Sequence, residues 1–211
     1  MNRLTVFLLL LLTFPSWGQD PSVIKEKTFG LGLVPQYSII NGTRIDLDFR
    51  LRNPRQWLVV APQFYIVNKH STLWNFDEMA GVGIDLQHRI FLGEQDGPKG
   101  VYFAWGPVFQ LYSVKDQGLA AYNFQEGDVT YIGLRDEPIH TRIYKMGGNL
   151  LFGYQPPLNG AFYLDFYLGT GIRFSFDNRQ SGLHGYYNEW WGDLGYSGTL
   201  LTGGFRFGVY F

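Results

Sequence analysis

The sequence predicts an all-β protein that folds as a single eight-stranded antiparallel barrel. Of its 211 residues, 27 are glycine and 18% are aromatic, and both classes favour turns and strands over helix interiors. Eight segments alternate apolar and polar residues with a period of two, which is the period of a β-strand whose two faces meet different environments. The connectors between these segments alternate between short and long. The strands are therefore expected to run up and down between one end with short connectors and one end with long connectors.

Segment 43–52 shows the alternation most clearly. Its apolar residues Ile45, Leu47, Phe49 and Leu51 fall on one face of an extended chain. A helix would spread the intervening charges around its circumference, whereas a strand collects them on the opposite side. The charges collected in this way are Arg44, Asp46, Asp48, Arg50 and Arg52.

The other segments repeat the pattern with more interruptions. The first runs from Phe29 to Ile39 and is followed by Asn41-Gly42, a dipeptide typical of a type I′ hairpin turn. Short connectors are expected at 53–56, 93–100 and 155–160, and long ones at about 68–78, 114–141 and 175–197. The remaining apolar faces begin at Leu58, Val82, Val101, Tyr144, Phe162 and Leu201.

Charge and cysteine content exclude several classes of protein. The formal net charge is −1, which argues against a basic nucleic-acid binder, and no nucleic-acid partner is expected. The chain has no cysteine, so disulfides, thiolate metal sites and cysteine nucleophiles are excluded.

The N-terminal segment is typical of a secretory signal peptide. Arg3 precedes a mainly apolar run at 4–14, and Ser16 and Gly18 supply the small residues that precede a cleavage site. The apolar run is shorter than the roughly 20 residues of a spanning helix, which argues against a membrane anchor. The sequence predicts a signal peptide at 1–18 and one barrel domain at 19–211.

Alternation alone does not say which face of the strands points outward. A soluble, lipocalin-like barrel buries its apolar face, whereas a membrane barrel turns that face toward lipid. The apolar faces carry no formal charge apart from His88, and a charge facing mid-bilayer lipid costs about 2 to 4 kcal/mol. We therefore expect the opposite faces to line a narrow lumen that their paired charges plug. The residues expected in this lumen network are Arg44, Asp46, Asp48, Arg50, Arg52, Asp85, Arg89, Lys145, Asp165, Arg173 and Arg206.

The end of the chain resembles a known family. Phe205, Phe207, Val209 and Phe211 place apolar side chains at every second position and end on an aromatic residue. This segment resembles the C-terminal assembly signal of Gram-negative outer-membrane β-barrels. The chain as a whole is similar to the small eight-stranded transmembrane barrels of the outer membrane protein X and outer membrane protein A types.

That resemblance implies a location and partners but no activity. It implies short periplasmic turns, longer extracellular loops, and insertion by the barrel assembly machinery through the C-terminal strand. The expected contacts are outer-membrane lipid and lipopolysaccharide, and the expected state is a monomer.

No catalytic, cofactor or metal site is predicted. A lipid-modifying enzyme of this architecture, such as a lipid A deacylase or acyltransferase, needs a histidine and a serine together at the outer rim. The adjacent His70 and Ser71 would point to opposite faces of a strand, and His140 and His184 lie far away in sequence. This enzyme and a soluble secreted binder remain the alternatives to a non-enzymatic membrane barrel.

The last long connector holds the densest aromatic cluster, Tyr186, Tyr187, Trp190 and Trp191. Such residues either stack on sugars or belong to the aromatic belt at the lipid headgroups. They are the candidates for contact with something outside the cell.

Overall fold

The chain closes into a barrel of eight antiparallel strands, as predicted. The computed structural model describes residues 27–68, 77–93, 97–158, 160–179 and 192–211; the predicted signal peptide lies outside these ranges. Each strand pairs with its sequence neighbours, and β1 pairs with β8 to close the ring. The strands are β1 Phe29–Leu33, β2 Gly42–Arg50, β3 Gln56–Val67, β4 Glu78–Phe91, β5 Gly100–Glu126, β6 Val129–Gln155, β7 Phe162–Arg179 and β8 Gly198–Tyr210.

The two ends of the barrel differ as the connector lengths predict. We call the end with the β2–β3, β4–β5 and β6–β7 connectors the turn end, and the opposite one the loop end. The outer wall is apolar between them. Its exposed side chains include Phe64, Ile66, Val82, Ile84, Phe109, Leu111, Met146, Leu150, Phe152, Phe166, Leu168, Ile172, Phe174, Leu201, Phe205 and Phe207.

The described part of the chain contains no helix long and apolar enough to cross a membrane.

The first strand is shorter than predicted. It ends at Leu33, and residues Pro35–Ile40 form a 3₁₀ helix instead of continuing to Ile39 as a strand. Proline has no N–H to donate to a ladder, and its fixed φ suits the first turn of a helix. The predicted type I′ turn is also wrong, because only Asn41 has a positive φ, of 53°, where its N–H caps the 3₁₀ helix.

The predicted loop at 114–141 is instead mostly a two-stranded ribbon. The last β4–β5 pair is Glu78 with Lys115, and the last β6–β7 pair is Thr141 with Arg179. Beyond those pairs, β5 and β6 pair only with each other, through residues 116–126 of β5 and 129–140 of β6. We call this part the ribbon. It projects from the loop end, with Tyr122, Phe124 and Tyr131 forming a row of ring contacts at 5.4 to 5.7 Å between centroids.

Glycine at position 106 is required by a close approach of two strands. A β carbon on Gly106 would collide with the carbonyl oxygen of Leu86 on β4, whereas one on the nearby Gly148 would meet only a backbone oxygen at 3.6 Å. Overpacking of this kind costs about 1 to 3 kcal/mol. We expect Gly106→Ala to lower the free energy of unfolding by that amount in urea titrations, and Gly148→Ala to leave it nearly unchanged. Equal effects of the two variants would contradict this close approach.

Candidate functional site

The middle of the barrel interior holds a layer of buried charges. Arg206 on β8 lies at its centre and is 1% exposed. Its Nε donates to Asp165 Oδ2, and its Nη1 donates to Asp46 Oδ2 at 2.9 Å and to Asp48 Oδ1 at 3.1 Å. Because period-two strands point these residues inward, one guanidinium reaches carboxylates from β2 and β7.

Two further arginines extend the layer. Arg44 donates to Asp46 Oδ1 at 2.7 Å and to Asp85 Oδ2 at 2.8 Å. Arg89 lies 3.8 Å from Asp48 and 3.6 Å from Asp165, measured from Nη1 to Oδ2. Seven of the eleven residues predicted for the lumen therefore meet in one layer: Arg44, Asp46, Asp48, Asp85, Arg89, Asp165 and Arg206.

The other four predicted residues lie outside that layer. Lys145 and Arg173 point inward nearer the loop end and are each 8% exposed. Arg50 is the last residue of β2 and is half-buried. The prediction for Arg52 was wrong, because β2 ends before it and its side chain is exposed in the turn.

Tyrosines complete the charged layer, although they are not among the residues that the sequence predicts for it. The Tyr102 hydroxyl donates to Asp165 Oδ2 at 3.0 Å, and the Tyr210 hydroxyl donates to Asp48 Oδ2 at 3.2 Å. Arg89 also lies over the Tyr102 ring, 4.4 Å from its centroid. Their position in the alternation is the signal that was available, since both occupy the face opposite the exposed apolar residues.

Aromatic clusters close the interior on either side of the charges. The first, toward the turn end, contains Trp57, Phe91, Tyr102, Tyr163 and Tyr210. The second, toward the loop end, contains Tyr65, Val67, Met79, Tyr112, Val114 and Ile143. The interior is therefore less polar than the predicted polar plug, because inward positions of β3 and β5 carry apolar and aromatic residues.

Two small cavities lie among the described residues of the barrel. One cavity of about 30 Å³ lies beside Asp85, Arg44 and Arg173, and another of about 10 Å³ lies at the turn end beside Tyr210. Cavities of this size hold one or a few water molecules.

Cations gather at the turn end. Lys27 Nζ donates to the Gly160 carbonyl at 2.5 Å and lies 5.7 Å from the Tyr210 ring centroid. Partial burial, and then the positive charge of Lys99, lower the pKa of Lys27.

The remaining predicted site residues fall in separate places. Phe205, Phe207 and Phe211 are exposed on the outer wall, and Val209 is half-buried there. Seven of them lie outside the described residues: Tyr186, Tyr187, Trp190, Trp191, His70, Ser71 and His184. His140 is exposed on the ribbon. His88 lies on the outer wall, edge-on to Trp105 at 4.6 Å between ring centroids.

No group of three or more His, Cys, Asp or Glu side chains in the described ranges is arranged to hold a metal ion.

Comparisons with known proteins return likenesses to solved structures alone. No protein-family model matches the sequence, and no curated protein matches it. The chain is similar to the crystal structure of Acinetobacter baumannii CarO at 14% identity and a TM-score of 0.45, over 88% of this chain and 98% of that one. It is also similar to Acinetobacter baumannii CarO2 at 12% identity and a TM-score of 0.42, over the same shares of the two chains.

Proposed function

We propose that the protein is a non-enzymatic, integral outer-membrane β-barrel whose side-chain-filled lumen does not conduct. One observation carries the proposal: the wall between the two ends is apolar and exposed, while the seven charged residues of the central layer are paired inside. A soluble ligand-binding barrel needs the reverse arrangement, because its apolar side chains must leave water. Lipid around the wall removes the cost of exposing this apolar surface.

The orientation follows from the connectors. The turn end would face the periplasm and the loop end the exterior, so that the ribbon would extend beyond the lipopolysaccharide headgroups. The barrel assembly machinery would contact the outward side chains at the C-terminal end, which are accessible along β8: Phe205, Phe207, Val209 and Phe211. The ribbon and the segment containing Tyr186, Tyr187, Trp190 and Trp191 are the proposed surfaces for contact outside the cell.

The membrane location has a direct test. We expect the full chain expressed in a Gram-negative host to fractionate with the outer membrane and to require detergent for release. We also expect it to migrate faster on denaturing gels when unheated than when boiled, because closed barrels resist detergent unfolding. A protein that is soluble without detergent and migrates alike in both samples would contradict the membrane barrel.

The closed lumen has a separate test. The charged layer and the two aromatic clusters fill much of the described interior, and the cavities beside them include two of about 30 and 10 Å³. We expect the purified protein to give no steady single-channel conductance in planar lipid bilayers, with a conducting porin as the positive control. Reproducible open-channel steps would overturn the proposal of a plugged lumen without affecting the membrane location.

The non-enzymatic part is tested with lipid. Purified protein is expected to release no acyl chain from lipid A and to transfer none to it. Acyl release that is lost in a His70→Ala, His140→Ala or His184→Ala variant would replace this proposal with the lipid-modifying enzyme.

A further inference from the structure

The ribbon carries exposed aromatic side chains beyond the last pairs of the barrel wall. Residues directly opposite each other in an antiparallel ladder share a face. Phe124 pairs with Tyr131, and Tyr122 lies two residues along from Phe124, so the three rings stand on one face of the ribbon. We call these three residues the aromatic face. Their side chains are 38 to 44% exposed, so a ligand can reach the rings.

The aromatic face is held in place by its own contacts. Tyr122 and Phe124 are in contact, and the Phe124 and Tyr131 rings stack with 21° between their planes. The Tyr122 ring packs over Gly133, where a β carbon would come within 3.0 Å of its atoms. Side chains that are ordered before binding lose less conformational freedom when a ligand arrives. The aromatic face is therefore suited to recognition.

One guanidinium already lies on the aromatic face. Arg135 Cζ is 5.3 Å from the centroid of the Tyr122 ring, and the Arg135 guanidinium pairs with the Glu137 carboxylate. Arg135 and Glu137 share the face of Tyr122, because they follow Gly133 by two and four residues on β6. Aromatic rings and carboxylates together are the groups that bind an arginine side chain well. The ribbon itself therefore shows which chemical group this face accepts.

The other end of the aromatic face has the same two components without a cation from the ribbon. Glu126 follows Phe124 by two residues on the same face, which corresponds to roughly 7 Å along a strand. Its side chain is exposed. Residues 116–134 contain no lysine, arginine or histidine. Tyr131 and Glu126 are thus a ring and a carboxylate to which the ribbon supplies no basic partner.

The ribbon is strongly acidic, although the chain as a whole is nearly neutral. Residues 116–140 include one arginine and five acidic residues, a formal charge of −4, whereas the whole chain carries −1. A surface of this charge repels phosphates and nucleic acid and attracts cations from a distance. The charge therefore favours a basic partner. The acidic residues are Asp116, Glu126, Asp128, Asp136 and Glu137.

An extended polypeptide fits this face better than a single ion does. Alternate side chains of an extended chain stand roughly 7 Å apart on one side, which is also the spacing of Tyr122, Phe124 and Glu126 along β5. Val129 lies opposite Glu126 on the same face and is 52% exposed. The apolar stem of an arginine covers such a surface while its charged end reaches a carboxylate.

We propose that the aromatic face and Glu126 form a docking site for an extended, arginine-rich segment of another protein. A guanidinium of the partner lies on the Tyr131 ring and pairs with Glu126, as Arg135 lies on Tyr122 and pairs with Glu137. The stem of that arginine covers Val129. The inference deepens the proposed surface contact, and it rests on the proposed orientation, in which the loop end faces the exterior.

The test uses the full barrel folded in a zwitterionic detergent and a fluorescein-labelled decapeptide of alternating arginine and serine. We expect the fluorescence anisotropy of the peptide to rise with protein concentration. Replacing every arginine by citrulline, which keeps the shape of the side chain without its charge, should lower the affinity at least about tenfold. Absence of binding by the arginine peptide, or equal binding by the citrulline peptide, would overturn the site.

Two double variants separate this site from general attraction to an acidic ribbon. Glu126→Gln with Tyr131→Ala should lower the affinity for the arginine peptide about tenfold, because it removes both the carboxylate and the ring. Asp136→Asn with Ile132→Ala is the matched control. It removes the same charge and a large exposed side chain from the opposite face of the ribbon, so the affinity should change less than about threefold. Equal losses in the two double variants would overturn the site.

A separate measurement distinguishes the site from the orientation. Both double variants are first checked for heat-modifiable migration, which neither change should affect because the ribbon lies beyond the barrel wall. Intact cells that express the wild type should then bind more of the arginine peptide than cells that express the Glu126→Gln, Tyr131→Ala protein. Specific binding by the purified barrel without this difference between cells would support the site and contradict the proposed orientation instead.

Discussion

Leu47→Arg should prevent stable insertion of the barrel. Leu47 lies within β2 with its side chain outward, between Leu31 on β1 and Val60 on β3. An arginine on the lipid face of a barrel costs about 2 to 4 kcal/mol at the bilayer midplane. We expect folding into phospholipid vesicles, measured by the heat-modifiable fraction in a urea titration, to weaken by that amount.

The matched control places the same charge on the same face at the edge of the wall. Leu51 is outward and lies just beyond the end of β2, at the turn end. There an arginine side chain reaches the headgroups, and its cost falls to about 0 to 1 kcal/mol. If Leu47→Arg folds as well as Leu51→Arg, the outward face is not in contact with hydrocarbon and the facing of the strands is wrong.

The alternation of the sequence was sufficient to predict the strands and most of the charged layer. In β2, a strict period of two places Arg44, Asp46 and Asp48 on the same face. In a closed barrel with an apolar outer wall, that polar face lines the lumen. The same pattern could not exclude Arg52, because alternation continues past the point where pairing stops. The end of β2 is determined by its turn into β3, where the Leu51 N–H donates to the Gln56 carbonyl and the Gln56 N–H donates to the Asn53 carbonyl.

Other features depend on contacts that a single strand pattern does not contain. Residues 121–136 of the ribbon expose both of their faces, so burial imposes no clear period there and the sequence predicts a loop at 114–141. Alternation places Tyr102 and Tyr210 on the inner face, but only the closed barrel shows that their hydroxyls donate to Asp165 and Asp48.

Arg206→Ala should cost more than any other single change in the interior. The variant leaves Asp46, Asp48 and Asp165 close together in a buried layer, with Arg44 and Arg89 as its remaining described cations. Removing one partner of a buried ion pair typically costs about 3 to 5 kcal/mol, because the carboxylates that remain lose part of their neutralisation without becoming hydrated. We expect the urea concentration at the midpoint of unfolding in vesicles to fall accordingly. The lipid-facing side chains are the same in this variant as in the wild type.

The control for this change is an ion pair of the same chemistry in water. Arg135 on the ribbon pairs with Glu137, and both side chains are substantially exposed. Exposed pairs contribute about 0 to 1 kcal/mol, since water already solvates both charges. Arg135→Ala should therefore leave the unfolding midpoint within that range of the wild type. If Arg206→Ala lowered the stability as little as Arg135→Ala, water would have to reach the charged layer. The Arg206→Ala variant should then conduct ions in planar bilayers.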